Sequence, residues 1–227
     1  MAFLMPEILV TGATGFVGKA VVHRLLGENR LRTVAVAVRR DVQQLMARVV
    51  PHVTGDLEPT TDWSVPLEGI LAVVHCAARV HIMVDKSGNP LEEFRRVNVQ
   101  GTLNLARQSA TAGVKRFVFV SSIKVNGEMT QLGVPFTADD EPAPLDAYGV
   151  SKMEAEQGLR EIARQTDMEV VIIRPPLVYG PGVKANFAAM MRWLKFGVPL
   201  PLGAIHNQRS LVALDNLVDL ISTCLSH

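Results

Sequence analysis

The sequence predicts an α/β fold, a parallel sheet wound outward in both directions with helices on its two faces. Three observations carry that expectation. Short apolar runs alternate along the chain with longer stretches of helical periodicity. Strands that alternate with helices pair in parallel through right-handed crossovers. The glycines Gly12, Gly15 and Gly18 fill the gap between the first apolar run and the first helical stretch. The 227 residues are 48% hydrophobic, with a mean hydropathy of +0.21, which builds a large core and excludes a disordered chain.

Ile8 to Val10 reads as a buried first strand, not a signal peptide, because Glu7 interrupts the apolar stretch and no basic segment precedes it. Val17, Val21, Val22, Leu25 and Leu26 mark the first helix. A helix that starts with bare N–H groups and a favourable dipole is a ready site for a pyrophosphate. Glycine is needed where the chain turns sharply, where phosphate approaches the backbone and where helix packs on strand. Strand, glycine turn and helix together predict a Rossmann-type dinucleotide site, although the spacing is G-x-x-G-x-x-G rather than G-x-G-x-x-G.

Thr33 to Val38 is the second strand and ends at Arg39-Arg40. A carboxylate at that tip holds the 2′-hydroxyl of NAD, whereas arginine accommodates the 2′-phosphate of NADP. Asp41 comes two residues late, so the tip leans toward NADP over NAD. His52 to Leu57 is expected to be the third strand and its exit, with Asp56 near the adenine. Ile70 to His75 is the fourth, followed by the small residues Cys76-Ala77-Ala78; His75 is expected to be packed rather than catalytic. Pro90 to Ala112 is read as one helix, with Asn98 inside it and bonded to main-chain groups of a neighbouring turn. Lys115 to Val120 is the fifth strand, leading to Ser121-Ser122, and Gly127 to Asp146 an active-site loop. Asp146 caps a helix carrying Tyr148, Ser151 and Lys152; Glu169 to Arg174 is the sixth strand. Pro175 to Gly182 is read as a rigid loop, Phe187 to Leu194 as helical, 197 to 203 as a Pro/Gly turn, Gln208 to Val212 as a short strand and Asp215 to Leu225 as a last helix. Residues 1–174 are expected to form the dinucleotide domain, and 175–227 a partial substrate lobe interleaved with it.

The net charge of +1 gives no reason to expect nucleic acid or an anionic membrane as partner. The two cysteines, Cys76 and Cys224, form no motif, which fits a reducing cytoplasm. The histidines, His81, His206 and His227 among them, have no ligand spacing, so no metal is expected.

Tyr148 and Lys152 lie four apart and share a helix face. A lysine ammonium beside a phenol is expected to lower the tyrosine pKa and ready it for proton transfer. Ser122, at the end of a neighbouring strand, can bond the same substrate oxygen.

These residues, with Asp56-Leu57, Asn98-Val99-Gln100-Gly101-Thr102 and Arg174-Pro175-Pro176-Leu177-Val178-Tyr179-Gly180-Pro181, resemble the extended short-chain dehydrogenase/reductases. More narrowly, the chain is similar to the NAD-dependent epimerase/dehydratase family that acts on nucleotide sugars. The resemblance implies catalysis by Ser122, Tyr148 and Lys152. It implies cofactor contacts from Gly12, Thr14, Gly15, Phe16, Val17, Gly18, Arg39, Asp56, Leu57, Ala77, Ala78, Asn98, Lys152 and Pro175, and substrate contacts from Lys124, Val178 and Arg209, the last on the substrate diphosphate. It also implies a homodimer, through helices 90–112 and 146–165.

Two departures narrow the chemistry. The Asp-Glu pair that the family's dehydratases carry after the serine is Ile123-Lys124 here, so 4,6-dehydration is not expected. The asparagine before the Tyr-Gly-Pro turn, which many members present to the sugar nucleotide, is absent near Leu177. The expected activity is hydride transfer at carbon 4 of a nucleoside-diphosphate sugar, UDP-linked, either as 4-epimerisation or as 4-ketosugar reduction. The alternatives are an NADPH-dependent reductase of a small non-nucleotide ketone and a non-catalytic dinucleotide-binding module. Ending at His227, the chain is expected to be either truncated or built with a reduced substrate lobe.

Overall fold

The computed structural model describes residues 7–27, 33–41, 46–80, 89–131, 133–183, 185–197 and 208–226. Six strands form one sheet: β1 (Ile8–Thr11), β2 (Val34–Val38), β3 (Val49–Val53), β4 (Ala72–His75), β5 (Arg116–Val120) and β6 (Glu169–Ile173). All their pairings are parallel, in the order β3-β2-β1-β4-β5-β6. The chain starts mid-sheet, winds out to β3, crosses back over β1 to β4, and winds out the other way. The direction reverses between β1 and β4, where such sheets open a crevice at their carboxyl ends.

Helices α1 (Phe16–Gly27), α2 (Pro90–Phe94), α3 (Thr102–Thr111), α4 (Ala147–Gln165), α5 (Ala185–Lys195) and α6 (Leu214–Thr223) follow in order. Every residue of β1 and β2 is buried, as a sheet covered on both faces requires. Side chains alternate between two cores. Val10, Val36 and Val74 pack with Val21 and Leu25 of α1 and with Leu217 and Ile221 of α6. Leu9, Ala35, Val73 and Phe117 pack on the other face with Leu105 of α3 and Leu159 of α4. Helix α6, from the stretch expected to belong to the substrate lobe, thus packs in the core of the six-stranded sheet.

Three elements differ from expectation. The third strand begins at Val49 and ends before Asp56. Pro51 sits inside it, opposite Val36, because β3 is an edge strand and no ladder bond is needed on its outer side. The helix expected over 90–112 is wound in three pieces: between α2 and α3, Arg95–Gly101 is π-helical, a wider turn that redirects side chains. The expected loop at 175–182 contains β7 (Leu177–Tyr179), which pairs in parallel with β8 (Leu211–Ala213). Of the Pro/Gly turn expected at 197–203, residues 198–203 lie outside the described residues.

Candidate active site

Because all six strands are parallel, their carboxyl ends share one edge of the sheet, and most of the predicted site residues follow them directly. Gly12 has φ +68, and a Cβ there would lie 2.7 Å from the Ala77 backbone nitrogen. Only glycine lets the β1 turn approach the β4 tip this closely. A Cβ on Gly18 would collide with the Gly12 carbonyl oxygen, and one on Gly15 would lie 3.1 Å from it. Gly15 N–H donates to that carbonyl at 2.9 Å, which closes the turn. Phe16 and Val17 open α1, where backbone N–H groups have no intrahelical acceptor. Thr14 and Gly15 are exposed beside them. The turn is a cradle of bare donors that side chains would fill, and it fits a pyrophosphate.

A buried relay holds the two central tips together. Thr11 Oγ1 accepts from Ala77 N–H at 3.2 Å and bonds His75 Nδ1 at 2.6 Å; His75 Nε2 bonds Thr102 Oγ1 at 2.9 Å. His75 has no exposed surface, and burial, reinforced by the Lys152 charge, pulls its pKa down to about 3. It is packed, as expected, and neutral.

Farther along the edge, a cavity of about 450 Å³ is lined by Thr14, Val38, Arg39, Arg40, Gly55 and Asp56. Arg39 reaches Asp56 at 3.8 Å, both well exposed. The cavity opens from the glycine turn toward the β2 tip and has the polarity and position of an adenosine site. Leu57 packs under it against Gly101, where a Cβ would meet Leu57 Cγ at 2.8 Å.

Asn98 is placed differently from its expected cofactor contact. It is 1% exposed within the π-helical segment. Its Oδ1 accepts from Arg79 N–H at 2.7 Å, and its Nδ2 donates to Arg79 O and to Ser151 Oγ, both at 3.0 Å. Both its donors are engaged by the protein, so the side chain braces the chain after Ala78 against α4. The expected bond to main-chain groups of a neighbouring turn is the one to Arg79.

The residues expected to handle protons follow the β5 tip and lie on α4. Ser122 starts a 3₁₀ turn over Ile123–Val125, its Oγ accepting from Lys124 N–H at 3.3 Å. Asp146 caps α4, accepting from Gly149 N–H at 2.6 Å. Tyr148 is half-buried, its ring edge-on to Phe94 at 6.1 Å. Lys152 is 2% exposed. Its Nζ donates to Val120 O at 2.8 Å and lies 4.2 Å from the Phe119 ring centroid. Burial pulls the lysine down to about 8, against the opposing pull of Cys76 and Glu156.

The expected effect of Lys152 on Tyr148 is not what the structure shows. Burial first, and Asp146 second, push the phenol up to about 12. The cation that offsets them is Lys124, whose Nζ pairs with Asp146 and donates to Glu128 at 3.0 Å. The reason is geometric: Lys152 is drawn inward to Val120 O, while Lys124 and Asp146 flank the phenol from the surface. Sequence reasoning gave Asp146 only a capping role and missed its charge.

The substrate side is also rearranged. Val178, expected to contact substrate, pairs with Val212 across β7 and β8 and packs on the core. Arg209 is exposed two residues before β8. It precedes the strand that pairs with β7, which follows the β6 tip. Pro175 O accepts from Ile123 N–H at 3.1 Å, tying that tip to the serine turn. Among the described residues, no group of three or more His, Cys, Asp or Glu converges to hold a metal ion; His81, His206 and His227 lie outside them. No helix among those residues is long and apolar enough to cross a membrane.

A parallel sheet with a glycine turn at its switch point and a cavity running from that turn to the β2 tip mark a protein of the dinucleotide-binding class. Specifically, the chain belongs to the NAD dependent epimerase/dehydratase family, which it matches over residues 8–227. It is 53% identical to a UDP-glucose 4-epimerase of Vibrio cholerae, over 98% of this chain and 68% of that protein. It is 29% identical to an N-acetyl-alpha-D-glucosaminyl-diphospho-ditrans,octacis-undecaprenol 4-epimerase of Escherichia coli O157:H7, over 95% of this chain and 62% of that protein. Among solved structures it is similar to MoeE5 in complex with UDP-glucuronic acid and NAD, with TM-score 0.81 and 30% identity over 97% of this chain and 72% of that one. The UDP-glucose 4-epimerase of Thermotoga maritima, solved with UDP-glucose, matches with TM-score 0.79 and 25% identity over 96% and 73% of the two chains.

Proposed function

We propose that the protein interconverts the carbon-4 epimers of a UDP-linked hexose. The observation that carries this is the 53% identity to the Vibrio UDP-glucose 4-epimerase along nearly the whole chain. The placement of Ser122, Tyr148 and Lys152 around one crevice supports it. Gly12, Thr14, Gly15, Phe16, Val17 and Gly18 hold the pyrophosphate of the cofactor, and Arg39, Asp56 and Leu57 its adenosine. Ala77, Ala78 and Pro175 flank the remainder, and Arg209 meets the substrate diphosphate. A nicotinamide held there would supply the acceptor and donor of the carbon-4 hydride. Tyr148 takes the proton of the carbon-4 hydroxyl and gives it back on the other face, while Ser122 hydrogen-bonds that oxygen. A phenol near 12 is in the donating form at neutral pH, which suits the return step. The removal step needs the phenolate, which the Lys124 cation favours. The protein acts as a homodimer, which light scattering of the purified chain tests.

Arg39-Arg40, without a carboxylate at the β2 tip, favours a second reading, a 4-ketosugar reductase that consumes NADPH. Purified protein incubated with UDP-glucose and no added dinucleotide separates the two. An epimerase that retains its cofactor forms the carbon-4 epimer, whereas a reductase leaves UDP-glucose unchanged and oxidises NADPH only when a UDP-4-ketohexose is supplied.

A further inference from the structure

A buried charge cluster lies directly behind the Ser/Tyr/Lys set, and none of the roles assigned above uses it. Glu156 is 2% exposed, one helical turn beyond Lys152 on the inner face of α4. Arg174, just past β6, grips its carboxylate through Nε at 3.0 and 3.1 Å and Nη2 at 2.5 Å. Ser121 Oγ donates to the same carboxylate at 2.5 Å. Arg174 also donates through Nη1 to Asn126 Oδ1 at 3.1 Å, and Asn126 Nδ2 donates to Thr137 O at 2.8 Å. One carboxylate thus fastens the β5 tip, the β6 tip and α4, and through Arg174 and Asn126 the loop at Thr137.

Two of the fastened elements, the β5 tip and α4, carry the residues given proton-handling roles above. Ser121 adjoins Ser122, and Val120, which holds Lys152 Nζ, precedes both. A buried ion pair is poor evidence of stability, because apolar residues of the same volume do as well or better. What it does provide is a fixed geometry with direction, since three or four charge-assisted bonds converge on one carboxylate. We propose that Glu156 is a positioning residue of the carbon-4 reaction: through Ser121 and Arg174 it sets the separation between Ser122 and the Tyr148–Lys152 helix, and its negative charge holds the Lys152 ammonium in place. This rests on the functional reading above.

The test uses the full chain carrying Glu156→Gln, which keeps the size and one acceptor but removes the charge. The groups that face Lys152 are His75 and Cys76 from β4 and Glu156 from α4. With His75 neutral and Cys76 unchanged, the variant should lower the Lys152 titration by about one unit, read by NMR on 15N-lysine-labelled protein. Turnover of UDP-glucose should fall about ten- to a hundred-fold with KM within about two-fold, and the alkaline limb of the kcat profile should move down with Lys152. Turnover within about two-fold of wild type, or an unmoved Lys152 titration, overturns the proposal. Should Glu156→Gln fail to fold because Arg174 is stranded, Glu156→Gln/Arg174→Gln carries the same readouts without a buried unpaired charge. If that pair also fails to fold, the cluster is structural and the proposal is wrong. Wild-type protein that converts no UDP-sugar sinks the functional reading instead, and the Lys152 titration then decides the role of Glu156 alone.

Discussion

Tyr148 is governed by neighbours on either side of it in the chain. Asp146 caps the helix and raises the phenol pKa; Lys124, paired to Asp146, lowers it. Asp146→Asn keeps a capping oxygen but removes the negative charge, so the phenol should ionise at lower pH. Lys124→Met should shift it the opposite way. Ultraviolet titration of the two variants checks the signs, and a shift of the same sign in both rules the pairing out as the cause. Tyr148→Phe removes the hydroxyl proposed to carry the proton and keeps the ring that packs on Phe94. Turnover should drop by roughly 10²- to 10⁴-fold while dinucleotide affinity, measured by calorimetry, stays within about two-fold. The roles of Gly12 and Gly18 are visible in sequence, because a glycine demanded by backbone approach leaves a local mark. The partner of Lys124 is not, since it lies in a helix cap reached only after a loop.

At the scale of elements, the π-helical segment between α2 and α3 brings Asn98 to Arg79 and Ser151, Gly101 to Leu57 and Thr102 to His75. Asn98→Ala removes the side-chain bonds to the Arg79 backbone and to Ser151. It should cost about 1–3 kcal/mol, seen as a lower urea midpoint, and loosen amide exchange at residues 77–80. Protection there equal to wild type would mean that the brace is dispensable. The apolar periodicity of 90–112 shows a helix but not its wider turn, because that turn is set by partners far off in the chain. For the same reason β7 escaped notice: Pro175-Pro176 reads as loop, and its ladder partner is β8, more than thirty residues later. In β3 the edge position excuses Pro51, and edge position is a property of the sheet, not of the local sequence.

For the molecule as a whole, one buried lysine carries a charge the fold must accommodate. Lys152 titrates near 8 when folded against an ordinary 10.5. Below pH 8 both states hold the proton and the burial penalty is complete. Between pH 8 and 10.5 the unfolded chain holds a proton that the folded one has lost, so stability rises with pH. The gain should approach ~3 kcal/mol. Tyr148, raised to about 12, works above this window, being stabilising below pH 10 and lost as pH climbs through 12. The stability difference between wild type and Lys152→Met, from urea midpoints across pH 7 to 10.5, should therefore move in favour of wild type; a flat difference would mean that the ammonium is not penalised. The alternation of strands and helices makes the doubly wound sheet legible from the start. The seating of α6 on α1 is not legible, because the apolar face of a late helix does not say which earlier surface it covers.

A π-helical turn accommodates one residue more than an α-helix would. Were all seven residues of Arg95–Gly101 wound at α-helical pitch instead, that surplus residue would rotate the downstream helix α3 by about 100°. Leu105 and Ala106 would swing out toward water, and Thr102 would lose sight of His75. The width of the turn, rather than any one of its side chains, is therefore what keeps α3 facing the sheet.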